Sequence, residues 1–300
     1  MPGHLSDNFP NATAQFWNGQ SLTWVVLARI DETTYCLLGC PGGRPGTEQA
    51  KQKSINFTST HTYVDLDAGF TSITLDFFSP VDPYDHVRQS LPYSYLTVSA
   101  KTDDTYQPDV DVLTAIDASW LNDRGAPYAE YSAVNGSKIL KLNGEQGREF
   151  SERGQMALWG DVVLATKDEA ASTLTSCQLG SVSSFLLTGS LVDGLEMSGE
   201  ESVAACARTL KSDDTQAAAT FAIGLQQEDQ IQYFDGSKLE RWTGYFRSKV
   251  STVEEAVEYF FSDFNDASAQ SKEFDQRVID LGKKTSSNYS DLLEFSVRQS

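Results

Sequence analysis

The chain has 300 residues, 40% of them hydrophobic and 11% aromatic, and its 23 Lys and Arg stand against 42 Asp and Glu for a formal charge of −19. This length supports one large or two ordinary domains with a sizeable core. The acidic balance opposes phosphate backbones and anionic lipid surfaces, and no run of 18 uninterrupted apolar residues suggests a membrane span, so neither nucleic acid nor membrane is an expected partner.

The opening MPGHLSDNFPNATAQ has neither a basic n-region nor an apolar h-region, so the sequence as given shows no signal peptide. Four N-x-S/T sequons, at Asn11, Asn56, Asn135 and Asn288, nevertheless point to a secreted, glycosylated chain. The stretch AQFWNGQSLTWVVLARIDETTYCLLG alternates apolar and polar residues and predicts a β-hairpin, with Asp31 to Thr34 at the bend and Leu22, Trp24 and Val26 toward the core. Trp17, Asn18 and Gln20 precede its first strand and form one candidate binding loop. Cys36 and Cys40, placed on one strand, would lie about 13 Å apart and could not bridge each other. Any disulfide is then long-range, with Cys177 and Cys206 the first pair to test; four buried thiols are the alternative.

Alternation continues to about residue 235 in FTSITLDFFSP, SYLTVSAKT, PDVDVLTAID, MALWGDVVLATK, SSFLLTGSL and AATFAIGLQ, each of strand length and rich in β-branched and aromatic residues. Gly, Pro, Asn and Asp clusters such as PGGRPG, NDRGAP and VNGSK separate them. Many short strands with frequent turns predict a mainly β chain, an antiparallel sandwich over residues 1–238. SPVDPYDHVRQSLP gathers Asp82, Asp85, Arg88 and Gln89 around a proline turn. That group could bind a small ligand or calcium, or could be a capped turn with an internal ion pair. Asp103, Asp104, Asp109 and Asp111 lack the glycine and closing glutamate of an EF-hand, and the last two fit the wet face of a strand.

The pattern changes after about 240. Val253, Ala256, Val257, Phe260, Phe261 and Phe264 recur at helical spacing behind a Ser251/Glu254 capping-box pattern. A second helix is predicted with Phe274, Val278 and Leu281 on one face. A third follows with Tyr289, Leu292, Leu293 and Val297 in register and no stop signal before the last residue. Residues 239–300 therefore read as a short helical segment, the start of a truncated helical-hairpin domain.

No motif announces a reaction. The three histidines, His4, His61 and His86, have no G-x-S-x-G elbow or reactive cysteine motif beside them, and His61 reads as structural. Neither C-x-x-C nor H-E-x-x-H occurs, so no metal or cofactor is expected.

Longer segments carry more. FWNGQSLTWVVLARIDETTYCLLGCPG, SPVDPYDHVRQSLPYSYLTVSA, VDVLTAIDASWLNDR, ALWGDVVLAT, FAIGLQQEDQIQYFDG and YSDLLEFSVRQS, in that order, resemble the fungal glutaminase A family. The resemblance implies a β-sandwich followed by a larger α/α helical domain. It also implies that the complete protein is secreted and hydrolyses the side-chain amide of L-glutamine to L-glutamate and ammonia. The helical catalytic domain is then the expected partner, no catalytic residue is transferred to this chain, and the chain alone is expected to be inactive or incomplete. Two other readings remain: a lectin-like, immunomodulatory sandwich that stacks glycans on Trp17, Trp120, Trp159 or Trp242, and a glycoside hydrolase-related domain.

Overall fold

A computed structural model describes residues 8–16, 19–101, 107–121, 128–144, 147–170, 172–191, 202–211 and 217–298. The strands are β1 (Trp24–Ile30), β2 (Thr33–Leu38), β3 (Glu48–Gln49), β4 (Lys51–Phe57), β5 (His61–Ala68), β6 (Thr71–Phe78), β7 (Tyr93–Lys101) and β8 (Val110–Ile116). They continue as β9 (Tyr128–Val134), β10 (Ser137–Asn143), β11 (Asp161–Lys167), β12 (Ser172–Ser181), β13 (Ser202–Leu210), β14 (Ala218–Gln226), β15 (Asp229–Phe234) and β16 (Leu239–Thr243). Four helices accompany them: α1 (His86–Ser90), α2 (Val182–Thr188), α3 (Val253–Lys283) and α4 (Ser287–Arg298).

Two sheets form the mainly β sandwich that the alternation predicted. One has six strands in the order β12-β13-β8-β1-β2-β3, the other eight in the order β9-β10-β11-β14-β7-β6-β5-β4. All neighbours are antiparallel except the short β2–β3 pair. Between the sheets lies the largest core, with Trp24, Val26 and Ala28 of β1 facing Leu66, Ile73, Leu75, Val98 and Leu164. Arg208, fully buried there, stitches one sheet to the other: Nε donates to Ser172 Oγ (2.9 Å), and a terminal nitrogen donates to the carbonyl of Lys167 on β11 (2.6 Å). A buried guanidinium is tolerable only with its donors engaged in this way.

Each sheet also buries part of its outer face, which strict wet/dry alternation does not anticipate. On the six-stranded sheet Val25, Leu27, Leu113 and Ala115 pack beneath Val182 and Phe185 of α2. The SSFLLTGSL run, expected as a strand, is this helix. Ser181 caps its start by accepting from the Ser183 amide at 3.2 Å, Gly189 ends it at φ 73°, and Val182 and Phe185 are spaced i, i+3 on one buried face. On the eight-stranded sheet α3 lays Val253, Ala256, Val257, Phe260 and Phe261 against Tyr95, Ile139, Val163 and Ala222. Each such apolar side chain contributes about 1.5–3 kcal/mol when fully withdrawn from water.

The helical region differs from its reading in three respects. The first two predicted helices are a single helix of 31 residues, because no proline or glycine interrupts the chain between Val253 and Gly282. Its cap is Thr252 with Glu255, not Ser251 with Glu254: Thr252 Oγ1 accepts from the Glu255 amide (3.1 Å) and Glu255 reaches back to the Thr252 amide (3.4 Å). In α4 the buried residues are Ser290 and Glu294, while Tyr289 and Leu292 of the expected apolar stripe are exposed. Ser290 packs against Gly282, where an added Cβ would stand 2.4 Å from the Ser290 Cα, so only glycine permits this crossing.

The first hairpin turns in two residues, with Ile30 opposite Thr33 and Asp31 at φ 54°. Beyond β2 the strand reading of Cys36 and Cys40 fails. β2 ends at Leu38 and Gly39 adopts φ +83°, folding the chain back so that the two Cα atoms are 6.4 Å apart and joined by a disulfide. Cys177 and Cys206, paired across β12 and β13, form the other disulfide, as expected. Among the described residues no helix is long and apolar enough to cross a membrane.

Candidate functional site

The sequence-predicted residues fall in separate places. Trp17 and Asn18 lie outside the described residues. Gln20 sits where short strands Ala14–Gln15 and Ser21–Leu22 pair, and its carbonyl accepts from the Phe16 amide at 2.9 Å, closing the loop.

Beside that loop the end of the sandwich carries an open pocket of about 470 Å³, lined by Phe16, Glu152, Gln155, Met156, Leu225 and Gln227. Phe16 and Leu225 root it in the inter-sheet core. Its other wall is a tight hairpin, Glu152–Arg153 paired with Met156–Ala157, turned by Gly154 at φ 58° and Gln155 at φ 67°. Phe150, at φ 59°, is another of the four described non-glycine residues in the left-handed region, with Gln155, Asp31 and Asn135. Such strain concentrates at sites whose surroundings enforce it.

The Phe150 ring stands 5.2 Å from Trp159, and the Arg241 guanidinium lies 5.3 Å above it. Arg241 belongs to the β15–β16 ribbon, whose Ile231, Tyr233, Phe234, Leu239 and Trp242 are exposed and whose Tyr233 and Trp242 rings pack edge to face at 6.0 Å. The boundary expected at 238/239 falls within this ribbon. One carboxylate, two amides and adjoining aromatic faces can bind a neutral or cationic polar ligand, and they assemble no nucleophile with a base.

Asp82, Asp85 and Arg88 do come together, away from that lining. Asp85 caps α1 by accepting from the Arg88 amide (3.0 Å), and Asp82 accepts from an Arg88 terminal nitrogen (2.8 Å). The Arg88 side chain is buried and makes a two-pronged contact with Asp263 of α3 (2.6 and 2.7 Å) and a bond to the Gln270 side-chain oxygen (2.5 Å). The hydrogen bond to Asp263 holds the guanidinium charged against the opposing effect of burial. Gln89 is exposed, tied through its backbone to the Asp85 carbonyl. The group therefore pins α1 to α3.

A third cluster was not legible. His61 Nδ1 bonds Asp76 (2.8 and 3.1 Å), its ring stacked between Phe78 (4.2 Å) and Tyr63 (5.3 Å). Thr58 and Thr60 donate to Asp275 of α3 (2.5 and 2.7 Å), while Arg298 of α4 donates to the carbonyls of Thr58 and His61, each at 2.8 Å. Burial, reinforced by Asp76 and Asp275, pushes the Tyr63 phenol up to about 12. The α3 and α4 partners lie more than 200 residues away in sequence, so no local spacing signals them. Of the tryptophans proposed for stacking, Trp120 donates to the Thr23 carbonyl (2.7 Å) and packs on the core, Trp159 is half-buried, and Trp242 is exposed.

Glutaminase A of Aspergillus oryzae (strain ATCC 42149 / RIB 40) is 31% identical over 313 aligned residues, covering 99% of this chain. The chain spans 44% of that relative's length. A heparan sulfate lyase HepC mutant from Pedobacter heparinus matches 73% of this chain and 30% of its own at a TM-score of 0.36 and 5% identity, too weak a likeness to carry an argument. A family described as "Domain of unknown function (DUF5127)" matches residues 60–280. With seven of the eight strands of the larger sheet, three of the six of the smaller and nearly all of α3 inside that match, the chain belongs to the DUF5127 family.

Proposed function

We propose that this chain is the β-sandwich portion of a secreted glutaminase A-like amidohydrolase, supporting and shaping a catalytic site that a helical domain mainly supplies. The observation that carries the reading is the 31% identity to glutaminase A, running over 99% of this chain but only 44% of the relative. The α3–α4 hairpin supports it, since Leu281, Tyr289, Leu292 and Phe295 expose an apolar face of the kind that further helices cover. Two disulfides fit an extracellular or secreted protein. In this reading the whole protein converts L-glutamine to L-glutamate and ammonia, and this chain alone is inactive.

A chimera tests it: this chain replaces the matching part of the Aspergillus oryzae enzyme. Glutamine-dependent ammonia release by the chimera is the expected result, and a folded but inactive chimera contradicts it.

A second reading, a carbohydrate-binding sandwich, is favoured by one observation: Trp242, 59% exposed, stands beside Tyr233 on a projecting ribbon. A glycan array that shows no binding above background removes it.

A further inference from the structure

Of the four sequons, the one at Asn135 lies beside a cavity. Asn135 and Gly136 form the two-residue turn of the β9–β10 hairpin, Val134 opposite Ser137, at φ 48° and 85°. Asn135 is exposed, and it lines a pocket of about 450 Å³ together with Lys249, Ser251, Glu254, Glu255 and Glu258. The sequon hydroxyl is telling. Ser137 is fully buried and its Oγ has no partner among the described residues, so the finished fold gives no reason for serine over alanine there. By contrast the hydroxyls of Thr58 and Ser290, in the sequons of Asn56 and Asn288, are committed to Asp275 and to the Ile279 carbonyl.

We infer that Asn135 carries an N-linked glycan whose first N-acetylglucosamine seats in this pocket, fastening the β9–β10 turn to the start of α3. In the covalent step the Asn135 side-chain nitrogen attacks the anomeric carbon of a lipid-diphosphate-linked oligosaccharide. The new C–N bond replaces the C–O bond to the diphosphate, which leaves, and the amide nitrogen gives up one proton. The Ser137 hydroxyl acts in recognition before folding buries it. Afterwards the sugar's hydroxyls donate to the accessible carboxylate oxygens of the glutamates that line the pocket, Glu254, Glu255 and Glu258.

The test uses the 300-residue chain made in a secretory yeast host and in a bacterial host that forms disulfides without attaching glycans. Glycopeptide mass spectrometry of the yeast protein is expected to find Asn135 occupied, and S137A is expected to lose that glycan alone. Melting temperature is expected to fall by at least about 2 °C for S137A from yeast, with no fall for S137A from bacteria. Trimming the yeast glycan to one N-acetylglucosamine should preserve the difference. An unoccupied Asn135 overturns the inference, as does an occupied one whose removal leaves the melting temperature unchanged or whose trimming abolishes the difference.

Discussion

Replacing Arg88 with methionine isolates what holds α3 to the sandwich. The guanidinium is 6% exposed, and its partners Asp82 and Asp263 are 14% and 13% exposed at their side chains, so this is a largely desolvated ion cluster. Methionine fills much of the same volume but leaves two carboxylates and the Gln270 oxygen without their donor. Removing one member of a buried pair typically costs about 3–5 kcal/mol, whereas an exposed pair is worth about 0–1 kcal/mol. We expect R88M to lose about 3–5 kcal/mol in urea unfolding, and the double variant R88M/D263L to recover much of that loss because the uncompensated Asp263 charge is gone. Hydrogen exchange should show opening that starts in α3. A loss below about 1 kcal/mol for R88M would refute the assignment of this cluster as the pin between α1 and α3.

Four further outcomes are expected. Gly282→Ala places a methyl group 2.4 Å from the Ser290 Cα, and the forced separation of α3 and α4 should lower stability by about 1–3 kcal/mol and speed proteolysis at 284–286; an unchanged cleavage rate would count against the crossing. Peptide mapping without reductant should recover the 36–40 and 177–206 links, and C177S should cost about 3–4 kcal/mol, the chain-entropy value for a separation of 29 residues.

Burial pushes the Asp161 carboxyl above the ordinary carboxylate range, so the folded chain keeps a proton that the unfolded chain has already released. Stability from this group is therefore complete below the unfolded value and is lost as pH rises through the folded one, and D161N should flatten that part of the stability–pH curve. Tyr95→Phe removes the hydroxyl that donates to the Phe260 carbonyl but keeps the ring stacked at 3.8 Å; a loss of about 0.5–1.5 kcal/mol in thermal unfolding separates the bond from the stack.

How much of this was legible depends on whether a signal is local. The alternation of β1 is visible in Trp24, Val26 and Ala28, but the burial of Val25 and Leu27 depends on α2, which packs from more than 150 residues away. The α2 segment reads either way because seven residues of Val, Ser, Phe, Leu and Thr satisfy either period, and its Ser181 and Gly189 caps are the discriminating marks. Cys36 and Cys40 misled because strand spacing was extended through Gly39, the residue that ends the strand. The α3 stripe was readable since helical spacing repeats over many turns, whereas α4 buries Ser290 and Glu294, which no apolar pattern can flag. At the candidate site composition singles out Trp17, Asn18 and Gln20 but not Phe16, the residue of that stretch that lines the pocket, and Glu152, Gln155 and Gln227 reach it through tertiary pairing alone.

Ammonia release from L-glutamine by the purified 300-residue chain, set against the full-length Aspergillus oryzae enzyme under one set of conditions, decides whether the sandwich and its first two long helices suffice for catalysis. A folded, disulfide-bonded protein with no release above background is the expected result; release at a rate comparable with the full-length enzyme would rule out a site supplied mainly by the helical domain.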